Sequence, residues 1–202
     1  MAATLKYIQP DAEEFMIHLA RVSSSNEDNP EYRRLLRYCM KGGHWSVFEM
    51  VDVVMEIYTS RAISAQILRH RSFHFQEFSQ RYAQVPTEPN MGDMRLAGTT
   101  NRQSSQLLPE WKELDENLQD AIDRASLAVE GSFYAYNRMI DAGIAAETAR
   151  MVLPLCTPTT MYMSGTIRSW IHYVQLRTQE DTQLEHRQIA ESIKALMVEH
   201  LP

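Results

Sequence analysis

Fourteen residues, Arg69 to Tyr82 (RHRSFHFQEFSQRY), hold the densest set of reactive side chains in the sequence. Three arginines, two histidines, a glutamate and serine hydroxyls are interleaved with three phenylalanines and a tyrosine. Guanidinium groups this close repel one another, and removing them from water is costly unless an anion lies among them. A nucleic-acid groove would satisfy them, and so would a phosphorylated small molecule.

Further arginines stand downstream in apolar surroundings. Arg150 precedes Met151-Val152-Leu153-Pro154, and Arg168 and Arg177 flank Trp170, Ile171, Tyr173, Val174 and Leu176. Nine residues are two and a half helical turns, so on one helix Arg168 and Arg177 would point to opposite sides and serve two ligands or two subunits. The sequence has no G-x-G-x-x-G or G-x-x-x-x-G-K-[ST] and only seven glycines, so backbone amides of a glycine loop cannot be the main phosphate cradle. Arginine and histidine side chains must take that role. His70, His74 and Glu77 would share a face if the segment were helical, but Arg69 and Arg71 beside them would repel a divalent cation, and no metal is expected. Glu185-His186 reads as a solvated helix face. Neither G-x-S-x-G nor C-x-x-C occurs.

The formal charge of −6 and a pI near 5.6 argue against a general nucleic-acid binder. Yet the basic residues are sixteen arginines against four lysines, a bias toward the group that grips phosphate and carboxylate with a planar fork. Two cysteines make no disulfide framework, and a reducing compartment follows. The first residues lack a signal-peptide pattern and no apolar run reaches membrane length, so the expected location is the cytoplasm.

These side chains need elements to hold them. Asp11–Val22 reads as a short helix, and Asn29-Pro30-Glu31 starts a second that stops at Gly42-Gly43. Val47–Thr59 is expected as one long half-buried strand. Ser60 caps a helix running through Gln66 and Leu68 into the arginine cluster. Residues 83–108 read as a functional or disordered loop. Trp111, Leu114, Leu118, Ile122, Ala125, Val129, Phe133, Tyr136 and Ile140 mark one stripe of a long helix ended near Gly143. A short helix from Ala145, a strand at 159–164, and helices at 167–176 and 182–199 complete the reading. The expected architecture is a helix-rich α+β single domain spanning 1–202 around a small, mainly antiparallel sheet.

Arg69-His70-Arg71, seven residues, then Ser79 resembles the R-H-R-x7-S signature of the flavin-dependent thymidylate synthases, with Glu77, Arg81 and Tyr82 matching its fuller form. Four more blocks resemble the family in the same order: His44-Trp-Ser-Val-Phe-Glu49, Asn101-Arg-Gln-Ser-Ser105, Arg150-Met-Val-Leu-Pro154, and Ile167-Arg-Ser169 through Leu176-Arg177. The resemblance implies methylation of dUMP to dTMP, with the carbon from methylenetetrahydrofolate and the hydride from FAD reduced by NADPH or NADH. It also implies a homotetramer with shared active sites, acting on small molecules rather than nucleic acid or membranes. All these ligands are anionic, which accounts for arginine clusters in an acidic protein.

By the same resemblance, Ser46, Arg69, His70, Arg71, Glu77, Thr166, Ile167, Arg168 and His172 would contact FAD. Gln66, Arg69, Glu77, Ser79, Arg81, Arg150 and Arg177 would hold dUMP, and His44 would lie where folate stacks. Arg177 would be the catalytic group, stabilising negative charge that develops on the uracil ring. Thr166 and His172 stand where many members have asparagine, and Met50 where histidine is frequent. Cys39 and Cys156 lack the Pro-Cys-His setting of the cysteine-dependent thymidylate synthases, and Ser79 lacks a partnered base, so no covalent enzyme adduct is expected. The competing readings are a non-enzymatic nucleotide or RNA binding module that stacks bases on the same aromatics, and behind it a metal hydrolase.

Overall fold

The computed structural model describes residues 1–22, 32–99 and 105–201. Among these there are six strands and seven α-helices. In chain order they are β1 (Ala2–Ile8), α1 (Ala12–Ala20), α2 (Tyr32–Gly42), β2 (Asp52–Ser60), α3 (Arg61–Ile67), β3 (His74–Glu77), β4 (Arg95–Ala97), β5 (Ser105–Leu107), α4 (Glu116–Asp141), α5 (Ala146–Ala149), β6 (Pro158–Thr166), α6 (Ile167–Arg177) and α7 (Leu184–His200). Four strands form one sheet in the order β1-β2-β6-β3, and β4 pairs antiparallel with β5. The end of β1 meets the start of β2 (Gln9 N–H to Asp52 O, 3.3 Å), and so does the end of β6 (Ile167 N–H to Val51 O, 2.9 Å). Both neighbours of β2 therefore run antiparallel to it. The class is the expected helix-rich α+β with a small antiparallel sheet.

The chain divides into two compact units. The first comprises 1–57, 68–76 and 161–202. Its core joins alternate residues of β2 (Val53, Met55, Ile57) and β6 (Met161, Met163) to Trp170 and Tyr173 of α6 and Ile189, Ala190 and Ile193 of α7, all at most 1% exposed. Period-two burial on the strands and period-3.6 burial on the helices is what buries one face of each. Trp170 donates its indole N–H to Val53 O at 3.1 Å, satisfying the one polar atom of that ring. On the solvent side, Glu56 of β2 accepts from the Tyr162 hydroxyl (2.5 Å) and pairs with Lys6 of β1 (2.9 Å).

The second unit comprises 58–67 and 77–160. Its α4 is 26 residues long, yet only Tyr136 is fully buried on it, packed with Val85 and Ala149 and flanked by Phe133, Met139, Ile140 and Leu153. The Tyr136 hydroxyl accepts the Val85 N–H at 3.0 Å.

Several expectations need correction. The stretch from Val47 is not one strand: Ser46–Glu49 forms a 3-10 turn that buries Phe48, and β2 begins only at Asp52. α4 starts later than the stripe suggests, because the Asp115 carboxylate takes the Leu118 N–H at 2.9 Å and caps the helix there, while Trp111–Glu113 is a separate 3-10 turn. The 83–108 segment is not all loop, since it carries the β4–β5 ladder. Strands β1 and β3 have no counterpart in the sequence reading. The cap at Asn29-Pro30 lies outside the described residues, as does most of the Asn101–Ser105 block. Helix ends at Gly43 and Gly143 are as expected, both glycines adopting positive φ (73° and 83°).

Candidate functional site

Within the first unit, α6 carries several of the expected site residues. Thr166 caps it, its hydroxyl accepting the Ser169 N–H at 3.3 Å, so the side chain expected to touch FAD also fixes the helix start. Arg168 and His172, one turn apart and both exposed, line a pocket of about 440 Å³ with Trp45, Glu49, Ser72, Ser169, Ile171 and Gln175. Ser46 and Arg71 adjoin two of those lining residues in sequence. The Arg168 guanidinium forms an ion pair with Glu49 at the end of the 3-10 turn. The Ser169 hydroxyl donates to Ser72 O at 3.4 Å, tying α6 to the Arg69–Ser72 turn. Ile167 is 3% exposed and belongs to the core. His44 is exposed, its ring stacked on Tyr38 at 6.0 Å between centroids.

Arg177 ends α6 on the other side, as the spacing predicts. Its Nε–H donates to His70 Nε2 at 3.0 Å. His70 is half-buried, and its pKa is pushed down to about 4 by burial first and then by the charges of Arg177, His172 and Arg69. Behind it lies His186, which is fully buried and bonded to the Tyr173 hydroxyl at 3.0 Å. This corrects the reading of Glu185-His186 as a solvated face. His186, Ile189, Ala190 and Ile193 recur at helical spacing on the buried side of α7, and that periodicity was the available signal.

The second unit gathers another set. Glu77, half-buried, accepts from Arg61 Nη1 at 2.5 Å and from the Thr159 hydroxyl at 3.0 Å. Arg61 opens α3 just after Ser60, whose hydroxyl accepts the Ile63 N–H at 3.4 Å. Gln66 sits in the last turn of the same helix. Arg81 and Arg150 converge on Glu147 of α5: Arg81 Nη2 lies 3.4 Å from the carboxylate, and Arg150 Nε donates to the backbone carbonyl at 3.3 Å. Arg81 also sits 5.3 Å over the Tyr82 ring. The Ser79 carbonyl takes the N–H groups of Tyr82 and Ala83, which makes the turn that presents Arg81.

Sequence reasoning missed Arg61, Thr159, Glu147, Tyr173 and His186. His70, His74 and Glu77 would share a face only if the segment were helical. That arrangement does not form, because α3 stops at Ile67 and His74 and Glu77 lie on the strand β3, three apart and so on opposite faces. Among the described residues no group of three His, Cys, Asp or Glu side chains could hold a metal ion, and no helix is long and apolar enough to cross a membrane.

Residues 4–202 match the family model described as thymidylate synthase complementing protein. The chain is 46% identical over 191 residues to a flavin-dependent thymidylate synthase of Synechocystis sp., covering 94% of this chain and 86% of that one. It is also 46% identical over 194 residues to a probable flavin-dependent thymidylate synthase of Paramecium bursaria Chlorella virus 1, covering 95% and 88%. Among solved structures it resembles a UMP/dUMP methylase, PolB from Streptomyces cacaoi bound with 5-Br dUMP, with a TM-score of 0.78, 26% identity, and 98% and 89% of the two chains covered. This chain belongs to the thymidylate synthase complementing family, the flavin-dependent thymidylate synthases.

Proposed function

We propose that the protein methylates dUMP to dTMP as a flavin-dependent thymidylate synthase, acting over its full length as one functional domain. The observation that carries this is the 46% identity across 94% of the chain to a flavin-dependent thymidylate synthase, together with the presence of every charged residue of the signature. Burial raises the pKa of both Cys39 and Cys156, which disfavours a thiolate nucleophile and supports a route without one.

The 440 Å³ pocket supports FAD as the cofactor. Its serine hydroxyls, Gln175, His172 and the Arg168 guanidinium are the donor types that an anionic dinucleotide needs. Arg168, His172, Ser46, Thr166, Arg69, His70, Arg71 and Glu77 would hold the cofactor, with Ile167 packed beneath. FAD supplies the hydride when it is bound in reduced form. Gln66, Arg69, Glu77, Ser79, Arg81 and Arg150 would bind dUMP, the paired arginines around Glu147 taking its phosphate. Glu77 is held in place by Arg61 and Thr159, which would orient it toward the sugar and base. Arg177 would lie against the uracil ring and stabilise the negative charge that develops there.

NADPH or NADH and methylenetetrahydrofolate are the co-substrates in this reading, with folate against His44. A homotetramer in the cytoplasm, with sites shared between subunits, completes it. Leu127 and Tyr134 of α4 are 66% and 68% exposed on an otherwise amphipathic helix, which supports burial in an assembly.

The test is direct. Purified protein should be yellow, should convert dUMP to dTMP with methylenetetrahydrofolate and NADPH, and its gene should rescue thymidine-requiring cells. A colourless protein that binds RNA with steep salt dependence, and makes no dTMP, would replace this reading with that of a binding module.

A further inference from the structure

Tyr173 and His186 have no accessible surface, yet both are polar, and Tyr173 Oη lies 3.0 Å from His186 Nε2. Tyr173 comes from α6, one turn before Arg177, and His186 from the first turn of α7. A histidine among Ile189, Ala190 and Ile193 is expensive to bury, so the position calls for a purpose beyond filling space. Three rings stand edge-on to His70: Tyr173 (4.9 Å between centroids, 72°), His186 (6.3 Å, 89°) and Phe73 (6.4 Å, 84°). His70 is therefore held in one orientation. Its Nε2 accepts the Arg177 Nε–H, which requires that nitrogen to be unprotonated and leaves the proton of the neutral ring on Nδ1. With Nε engaged, the rigid guanidinium plane is fixed, and its terminal nitrogens make no hydrogen bond to the described residues.

We propose that the buried His186–Tyr173 pair is a positioning device for Arg177: it locks the His70 ring, and His70 in turn orients the guanidinium toward substrate. This rests on the assignment of Arg177 to the uracil ring. Arginine carries several rotatable bonds, and a stabilising charge acts fully only when held in place before the reaction. The hydroxyl–imidazole bond holds Tyr173 in position and fixes the His186 imidazole, two of the three rings around His70, and the cage keeps the acceptor from rotating. His186 and Tyr173 touch no substrate in this arrangement; they act through His70.

The test uses the full-length flavin-loaded enzyme and the variants Tyr173→Phe and His186→Gln, each also combined with Arg177→Lys. Tyr173→Phe keeps the ring and deletes only the hydroxyl. It is expected to lower kcat about tenfold through misplacement of the charge, with dUMP affinity changed less than about twofold. His186→Gln, whose amide can still bond the Tyr173 hydroxyl, retains most of the rate. In the Arg177→Lys background, Tyr173→Phe causes no further loss. Imidazole 15N spectra give a second readout: His70 is a single Nδ1–H tautomer in the native protein and a mixture in Tyr173→Phe. A folded Tyr173→Phe enzyme with native kcat and an unchanged His70 tautomer overturns the proposal, as does an equal fold-loss in the Arg177→Lys background. Full activity in Arg177→Lys alone overturns both this proposal and the role given to Arg177. Should Tyr173→Phe not fold, His186→Leu and the His70 tautomer it leaves decide the matter by the same criteria.

Discussion

Acidification should destabilise this protein through His186. The side chain is fully buried, and its pKa lies at about 4, lowered chiefly by burial and then by the charges of Arg177 and His70. In the unfolded chain it titrates near 6.5. Between these values the unfolded state binds the proton and the folded state does not. Stability contributed by the neutral buried form is therefore complete above the unfolded value and is lost as pH falls from 6.5 toward 4. For one such group the loss between about pH 7 and pH 5 is roughly 2 kcal/mol, a sizeable share of a stability of about 5–15 kcal/mol. His70 titrates in the same direction and adds to the slope, less strongly because it is half-exposed. Urea unfolding at fixed protein concentration, followed at several pH values, should show the midpoint falling by about 1 M over that range. His186→Leu should remove most of the pH slope even if it lowers stability at neutral pH. An unchanged slope in that variant would refute the assignment of acid lability to this residue.

Three other outcomes are expected. Gly165→Ala on β6 would place a Cβ 2.5 Å from Phe73 Cδ1, and Phe73 is only 6% exposed with the Trp170 ring centroid 4.7 Å from its own, so the ring has little room to shift. The overpacking should cost about 2 kcal/mol and lower Tm by roughly 6 °C in a melting scan. Ser79→Ala should reduce turnover without abolishing it; complete loss in a folded protein with native dUMP affinity would contradict a purely orienting role. Arg168→Lys should keep the charge but lose the bidentate fork, so the purified protein should carry several-fold less flavin by absorbance; native flavin content would count against Arg168 as a phosphate ligand.

Much of the fold is legible in the sequence where local signals agree. Gly43 and Gly143 end their helices because only glycine accepts positive φ cheaply, and the i, i+3, i+4 stripe of α4 is visible without any structure. β1 and β3 were not legible, since no residue of Ala2–Ile8 is fully buried and His74–Glu77 is too short to show alternation. Their pairing comes from neighbours distant in sequence. The same division runs through the site. The arginines were recognisable from their type and spacing, whereas their partners were not: Arg61 meets Glu77, Glu147 meets Arg81, and Glu49 meets Arg168 across separations that no local pattern encodes. His186 was misread because polarity was weighed before periodicity.

The pairing of Arg168 with Glu49 bears on how the pocket discriminates. Both side chains are nearly half exposed (49% and 45%), so the bond is worth about 1 kcal/mol at most. A tethered carboxylate nonetheless sits at high local concentration, so dilute monovalent anions such as chloride would compete poorly with it. In the proposed FAD site a pyrophosphate, offering several oxygens and more charge, would displace it at small cost. The guanidinium would thus stay ordered between ligands, guarded by an acid that yields to a stronger claimant.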